Sequence, residues 1–467
     1  MEQYTLNIKG APLTLAKLFA QSGVTLYAVG GMVRNPLLGL PVSDMDITSA
    51  MPPEDVLHLC ENAGYHCFEK GIAFGAVEIH VGKEVFEHTT FRSDTYADGG
   101  AHRPSYVKFA STMEEDAFRR DFTVNALYVD ILGEDIIDPT GGLNDVKAGI
   151  IRATSPDPNV IMRDDGLRVL RMARFAAELG FGVDDASFEA GKRNVEGLMD
   201  ISGERIRDEL NKILLSDVRY GSGKKSLTKA LFLLRDIGAI KAILPELYSG
   251  KGVEQKNEYH AYDVLDHMLH TTAAIEPRLD LRLAALLHDI GKPVTVAQTG
   301  KMVGHEEQSA ILTESILRRL RYPNDIIKAV VALVRHHMYD LSGNAKEPTL
   351  RKKFAGLGYE FSMDLATVRE ADVHGSGIIK GDVKSAKRWR DVLTKMRNEN
   401  APFGEDALMC DGDEIMDWLN LQPSPEVGKI KKALLAHCAV YPLDNTPERL
   451  KAVANNFRRT ATCVYRV

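Results

Sequence analysis

The stretch from Leu26 to Ala50, LYAVGGMVRNPLLGLPVSDMDITSA, constrains this chain more than any other. It reads as a strand over Thr25–Val29, a Gly30-Gly31 turn, a short amphipathic helix, a turn near Gly39, and a second strand carrying Asp44-Met45-Asp46. Residues two apart on a strand share a face, so the two aspartates are expected to project side by side. Two adjacent carboxylates repel unless a cation neutralises them. Hard oxygen ligands suit Mg²⁺, which favours one or two carboxylates together with substrate phosphates. Glycines without Cβ let backbone N–H groups approach a triphosphate, and the helix that follows offers its positive end. An isolated D-x-D is common on solvated loops; the strand, glycine pair and helix before this one set it apart. Glu87 in EVFEHTTFR adds a third acid that a neighbouring strand can bring alongside. Three converging carboxylates suit two-metal, in-line phosphoryl or nucleotidyl transfer.

These residues resemble the nucleotidyltransferase superfamily that includes DNA polymerase β. More closely, they resemble the class II tRNA nucleotidyltransferase (CCA-adding) and bacterial poly(A) polymerase family. The resemblance implies an α+β chain with a polymerase-β-like head of mixed sheet and helices, then an all-α neck, an HD-type helical body and a helical tail. Strand-like runs such as TLYAVG, AVEIHV and LYVDI largely stop after Pro158, and DDGLRVLRMARFAAELG then places apolar residues at helical spacing. The expected divisions are 1–155 for the head, 156–220 for the neck, 221–380 for the body and 381–467 for the tail.

Within the head, Ala97-Asp98-Gly99-Gly100 predicts a mobile loop. It resembles the family's flexible loop that assists addition of the final adenosine and is shortened in enzymes adding only two cytidines. The string RRDFTVNAL is similar to the family's ribose-recognition motif. It implies nucleotide contacts from Arg119, Arg120, Asp121 and Asn125, with Gly30, Gly31 and Arg34 on the triphosphate. Asp165 and Arg168 are expected three apart on one helical face, as an internal salt bridge or as a pair reading a base edge. Cytosine and adenine both set an amino donor beside a ring-nitrogen acceptor, which a carboxylate next to a guanidinium complements; uracil and guanine reverse the order. The pair resembles the family's Glu-Asp-x-x-Arg template, with Arg171 one turn on, although Asp164 and Gly166 depart from that pattern. Glu204, Arg205 and Glu209 match the next family helix and read as bracing the neck.

A second constellation comprises His267, His288-Asp289, His305, His336-His337 and Asp372. Imidazole with carboxylate suits transition metals and Mg²⁺-like ions. The order looks like the HD phosphohydrolase superfamily. That implies a metal at His267, His288, Asp289 and Asp372, with His305 and His336 as ligands of a second metal. Ni²⁺, Mn²⁺ and Co²⁺ are the candidate ions.

No run approaches eighteen apolar residues, so no membrane span is expected. The opening MEQYTLNIKG lacks a signal-peptide pattern and the five cysteines lack zinc-ligand spacing, which together predict a cytoplasmic protein. A net charge of −7 excludes a polycation that coats nucleic acid but leaves room for local basic surfaces. The expected activity is template-independent CCA addition to tRNA from CTP and ATP, by a monomer or homodimer. A 2′,3′-cyclic phosphodiesterase or phosphatase activity is expected in the HD domain. The alternatives are an A-adding enzyme, a poly(A) polymerase, or an HD phosphohydrolase whose head only binds RNA.

Overall fold

The computed structural model describes residues 6–464 except 7, 96–105, 110–111, 256–257 and 380. The loop expected at Ala97–Gly100 therefore lies outside the described residues. The chain divides into two compact units, Met1–Tyr248 with Arg319–Tyr322, and Ser249–Arg318 with Pro323–Val467.

The first unit holds β1 (Tyr27–Val29), β2 (Met45–Ser49), β3 (His66–Gly71), β4 (Ala76–Val81), β5 (Glu84–Thr90), β6 (Arg92–Thr95), β7 (Tyr106–Phe109), β8 (Tyr128–Asp130) and β9 (Ile136–Ile137). Seven of these form a mixed sheet in the order β3-β4-β5-β2-β1-β8-β9, while β6 and β7 pair as a separate ribbon. β2 lies antiparallel to β1 but parallel to β5, and the helix Pro53–Asn62 lies in the connection that makes the parallel pairing possible. Alternation along β5 turns Phe86, His88 and Thr90 inward and leaves Glu87 on the opposite face. Val29, Phe91, Met113, Ala117, Ala126 and Tyr128 form a compact apolar cluster in the head. Leu15 and Phe19 of the helix Ala11–Gln21 are fully buried, each worth roughly 1.5–3 kcal/mol against exposure.

Two local expectations need correction. β2 begins at Met45, so Asp44 stands just before the strand rather than within it. The single helix expected to carry both Asp165 and Arg168 is broken into Pro158–Asp164 and Leu167–Leu179. Asp165 is extended at the break, outside both helices, and its carboxylate accepts from the Leu167 N–H at 3.0 Å, so it does not share a helical face with Arg168. A two-residue parallel pairing of Ile150–Ile151 with Gly182–Val183 is the one strand pairing among the described residues that extends past Pro158.

Among its described residues the second unit contains helices and no strands. The helices Val264–Ala274 and Tyr359–Gly375 approach closely because Gly375 lacks a Cβ; one built there would lie 2.0 Å from the Thr271 hydroxyl oxygen. His267 lies one turn before Thr271 and Asp372 one turn before Gly375, so this contact brings the two side chains together.

Candidate active sites

In the first unit, Gly30, Asp44, Asp46, Glu87, Arg120, Asp121, Asn125, Asp165, Arg168 and Arg171 line one cavity of about 1070 Å³. Gly30 adopts φ +66°, which opens the helix Gly31–Leu37. A Cβ there would lie 3.4 Å from an Asp46 carboxylate oxygen. Asp46 on β2 is directly opposite Glu87 on β5. Burial, then the negative charges of Glu87 and Asp44, push Asp46 up to about 6 against the pull of Arg120 and Arg171. Such crowding of hard oxygens calls for a cation, and the donor set fits Mg²⁺. Asp44 is well exposed, and its Oδ2 accepts from the Arg219 guanidinium at 2.7 Å.

The arginines of the cavity are heavily engaged. Arg34 is buried and donates to the side-chain oxygens of Asn35 and Asn125; desolvation lowers its pKa from the ordinary value. Arg119 and Arg120 both donate to Asp116, which has no exposed side-chain surface. Burial opposes ionisation of Asp116, yet the two guanidinia and the Tyr128 hydroxyl hold it at about 2. Asp121 accepts from Arg171 at 2.8 and 2.5 Å through one oxygen, and from Asn125 at 3.0 Å through the other. Its oxygens thus already organise protein donors. Asp165 and Arg168 do not pair with each other. Asp165 pairs with Arg205 at 2.7 Å, while Arg168 donates to the carbonyls of Ile161 and Arg119 at 3.0 and 2.8 Å. Arg205, expected mainly to brace the neck, fixes the Asp165 carboxylate.

Arg174, Phe175, Glu178 and Arg219 also line the cavity, beyond the residues that the sequence singles out. Arg34, Arg171 and Arg174 gather around the Phe175 ring, with Arg174 closest at 4.0 Å from its centroid. Arg174 also ion-pairs with Glu209 at 2.7 Å and approaches Glu178 at 3.5 Å. Arg168, Arg171 and Arg174 recur every three residues along one helix, and that stripe was readable. Asp116 stands three and four positions before Arg119 and Arg120, a helical spacing that was readable too, whereas Arg219 carried no local pattern.

In the second unit, two groups of ligand atoms each lie within 4.8 Å of one another: His267, His288 and Asp372, and Asp289, His305 and His337. Asp289 joins them, with one carboxylate oxygen 3.2 Å from His288 Nε2 and the other 3.0 Å from His305 Nε2. His288, His305 and His337 each place Nδ1 on a backbone carbonyl, at 2.8, 2.6 and 2.6 Å. A carbonyl can only accept, so the proton sits on Nδ1 and Nε2 faces inward as a lone-pair donor. The Nε2 atoms of His267 and His288 stand 3.1 Å apart, and those of His305 and His337 3.3 Å apart. Such contacts suit a shared cation, and the mixed nitrogen and oxygen donors suit a transition metal. Burial opposes charge on His288, but Asp289 and Asp372 raise its pKa to about 10, so the same two carboxylates that would balance a cation also favour the imidazolium. Lys292, itself buried, lies 2.5 Å from Asp289.

His336, expected as a ligand, is absent from both groups. It is half-buried beside Phe361, while His337 takes the place assigned to it. Helix phase explains the exchange. Val330 and Val334 are buried, and the position three residues beyond Val334 on that face is His337.

Comparison with known proteins is consistent with this geometry. A family model described as "Poly A polymerase head domain" matches residues 26–152, "Probable RNA and SrmB- binding site of polymerase A" matches 180–250, and "HD domain" matches 258–370. The chain is 31% identical over 443 residues to an A-adding tRNA nucleotidyltransferase of Deinococcus radiodurans, spanning 91% of this chain and 93% of that one. It is 34% identical over 322 residues to a multifunctional CCA protein of Chromobacterium violaceum, spanning 67% and 74%. In fold it superposes on the CCA-adding enzyme of Bacillus stearothermophilus solved with CTP, at a TM-score of 0.70 and 24% identity, covering 97% of this chain and 99% of that one. No helix among the described residues is long and apolar enough to cross a membrane.

Proposed function

The chain belongs to the tRNA nucleotidyltransferase family, with an HD domain, and from that membership we propose that it builds the 3′-terminal CCA of tRNA from CTP and ATP without a nucleic-acid template. The observation that carries this reading is the meeting of Asp44, Asp46 and Glu87 in a cavity lined by arginines. Asp44 and Asp46 would hold Mg²⁺, and Glu87 would position the metal or the primer hydroxyl. Bound there, Mg²⁺ would supply charge stabilisation for the phosphoryl group under attack. Backbone N–H groups at Gly30 and Gly31, with Arg34, hold the triphosphate. The primer 3′-hydroxyl attacks the α-phosphate in line and pyrophosphate leaves. Arg119, Arg120, Asp121, Asn125 and Arg171 form the wall that receives ribose and phosphate, with Asp116 fixing the first two.

A second reading has a specific observation behind it. The Deinococcus relative, aligned over nearly the whole chain, is an A-adding enzyme. The deciding test offers each nucleotide singly to tRNA ending at the discriminator base and reads the 3′ ends. Incorporation from CTP supports CCA addition; no incorporation from CTP, with ATP extending a second tRNA substrate that already ends in CC, supports the A-adding reading.

Asp165 and Arg168 serve as the base template in this reading, each fixed by other protein groups and not by its partner. Replacing either by Ala is expected to cost about 1–3 kcal/mol of discrimination for CTP and ATP against UTP and GTP. Single-nucleotide competition assays measure it. Unchanged nucleotide choice in both variants would leave the two residues as helix and neck supports.

The HD domain carries a metal site, and phosphoester hydrolysis is its proposed reaction. Suitable substrates are 2′,3′-cyclic phosphates on damaged RNA ends, which must be opened before extension. Mn²⁺, Ni²⁺ and Co²⁺ are the candidate ions. Ligation by His305 and His337, with Asp289 shared, provides for a second ion. His337→Ala is expected to lower bound metal by up to one equivalent, while His336→Ala leaves the content unchanged. Metal analysis of purified proteins decides this, and equal contents would remove His337 from the ligand set.

A further inference from the structure

Two consecutive neck residues grip the head beside its acids. Arg219 closes the short helix Ser216–Arg219 and reaches Asp44 at 2.7 Å and the Ser43 hydroxyl at 3.2 Å. Its other terminal nitrogen lies 3.4 Å from Glu178, a carboxylate almost fully buried. Tyr220, the next residue, accepts a hydrogen bond at 3.1 Å from Asn35, whose side-chain oxygen holds Arg34 at 2.8 and 3.1 Å. Arg219 and Tyr220 therefore touch the metal acid directly and the phosphate arginine through one intermediary. Asp44, Asp46 and Glu87 are not among the groups whose ligand atoms all lie within 4.8 Å, whereas Asp44 is engaged by Arg219.

We propose that Arg219 is a positioning residue for nucleotidyl transfer, a latch that holds Asp44 until the arriving nucleotide and its metal exchange partners with it. The inference rests on the nucleotidyl-transfer reading of the head. Before exchange, Asp44 pairs with Arg219. After it, the Asp44 carboxylate faces the divalent cation and the Arg219 guanidinium faces a phosphate oxygen of the nucleotide, so each charge keeps an opposite partner. No bond is made or broken. Glu178 keeps Arg219 at the cavity wall throughout, because Arg174 lies by its Oε2 at 3.5 Å and leaves the buried Oε1 to Arg219. Metal and nucleotide thus each release what holds the other back, and their binding is coupled through one side chain.

The latch makes a prediction of opposite signs that a purely structural role does not. In Arg219→Ala the competitor for Asp44 is gone, so Mn²⁺ at the head site should bind about three- to fivefold tighter without nucleotide, as expected for loss of an exposed ion pair. The same variant should bind CTP about tenfold more weakly when divalent ions are removed, because a charged donor to phosphate is missing. Mn²⁺ is followed by electron paramagnetic resonance on the full chain, the head site being the signal that Asp44→Ala loses. Arg219→Lys keeps a charge opposite Glu178 and should fall between wild type and Arg219→Ala on both measures. Loss of affinity for both ligands in Arg219→Ala, or a change in one alone, overturns the latch. No change in either does the same while leaving the head reading intact. If Asp44→Ala loses no Mn²⁺, the head reading fails and the latch with it.

Discussion

Asp44→Ala or Asp46→Ala abolishes nucleotide addition, with turnover expected to fall on the order of 10³-fold or more, while tRNA affinity changes little. The size follows from the charge a divalent cation neutralises in the transition state, worth several kcal/mol, at about 1.4 kcal/mol per decade of rate. The two variants should differ in their side effects. Asp46 is driven up to about 6 by burial and its acidic neighbours, so its removal relieves carboxylate repulsion and is expected to leave the melting temperature unchanged or slightly raised. Asp44 is exposed and paired with Arg219, so its removal costs little stability for a different reason. Turnover with each nucleotide, filter binding of tRNA and thermal melting together check the claim. Near-normal turnover in either variant would end the assignment of these acids to the metal.

The second large effect is expected in the other unit. Replacing His288 and Asp289 together by Ala should bring phosphoester hydrolysis to background and strip bound metal, while CCA addition continues. Asp289 touches both ligand groups, so its loss damages both at once. It also leaves the buried Lys292 ammonium with the neutral Gln255 oxygen in place of a carboxylate, and a lower melting transition is expected for this reason. Asp372→Asn is the gentler companion, since it removes one ligand charge and keeps the side-chain volume. Hydrolysis of 2′,3′-cAMP with Mn²⁺, Ni²⁺ or Co²⁺, metal analysis, and CCA addition by the same preparations provide the readouts. Equal hydrolysis by wild type and double variant, or none by either, would rule out the second active site.

What could be read from sequence was whatever shows in short, regular patterns. Strand, glycine turn and helix before Asp46 follow one another within twenty residues, and the spacing between Asp44 and Asp46 is local. Glu87 required only that a neighbouring strand carry it alongside, and β5 does so. The HD residues declared themselves by chemistry, since His288 and Asp289 are adjacent and the rest fall on helices. Failures arose where the deciding partner was distant or the local choice was ambiguous. Helical spacing offers Asp165 either a salt bridge with Arg168 or a shared base edge, but its ion-pair partner is Arg205, forty positions on. Arg219 meets Asp44 across 175 positions, beyond any periodicity. Between His336 and His337, composition offers no choice; only the buried stripe through Val330 and Val334 distinguishes them.

Neighbouring strands in a sheet run about 4.8 Å apart, so the backbone itself gauges the separation of Asp46 and Glu87 across β2 and β5. That gauge limits how the chain can vary by inheritance. One residue inserted within Glu84–Thr90, ahead of the acid, would turn Glu87 to the opposite face and carry Phe86, now fully buried, toward solvent. The turn at Gly82 and Lys83 bears no such burden, because added length there is absorbed before β5 meets β2. Lineages of this protein should therefore accumulate insertions at the hairpin tip and lose them from the strand that follows it.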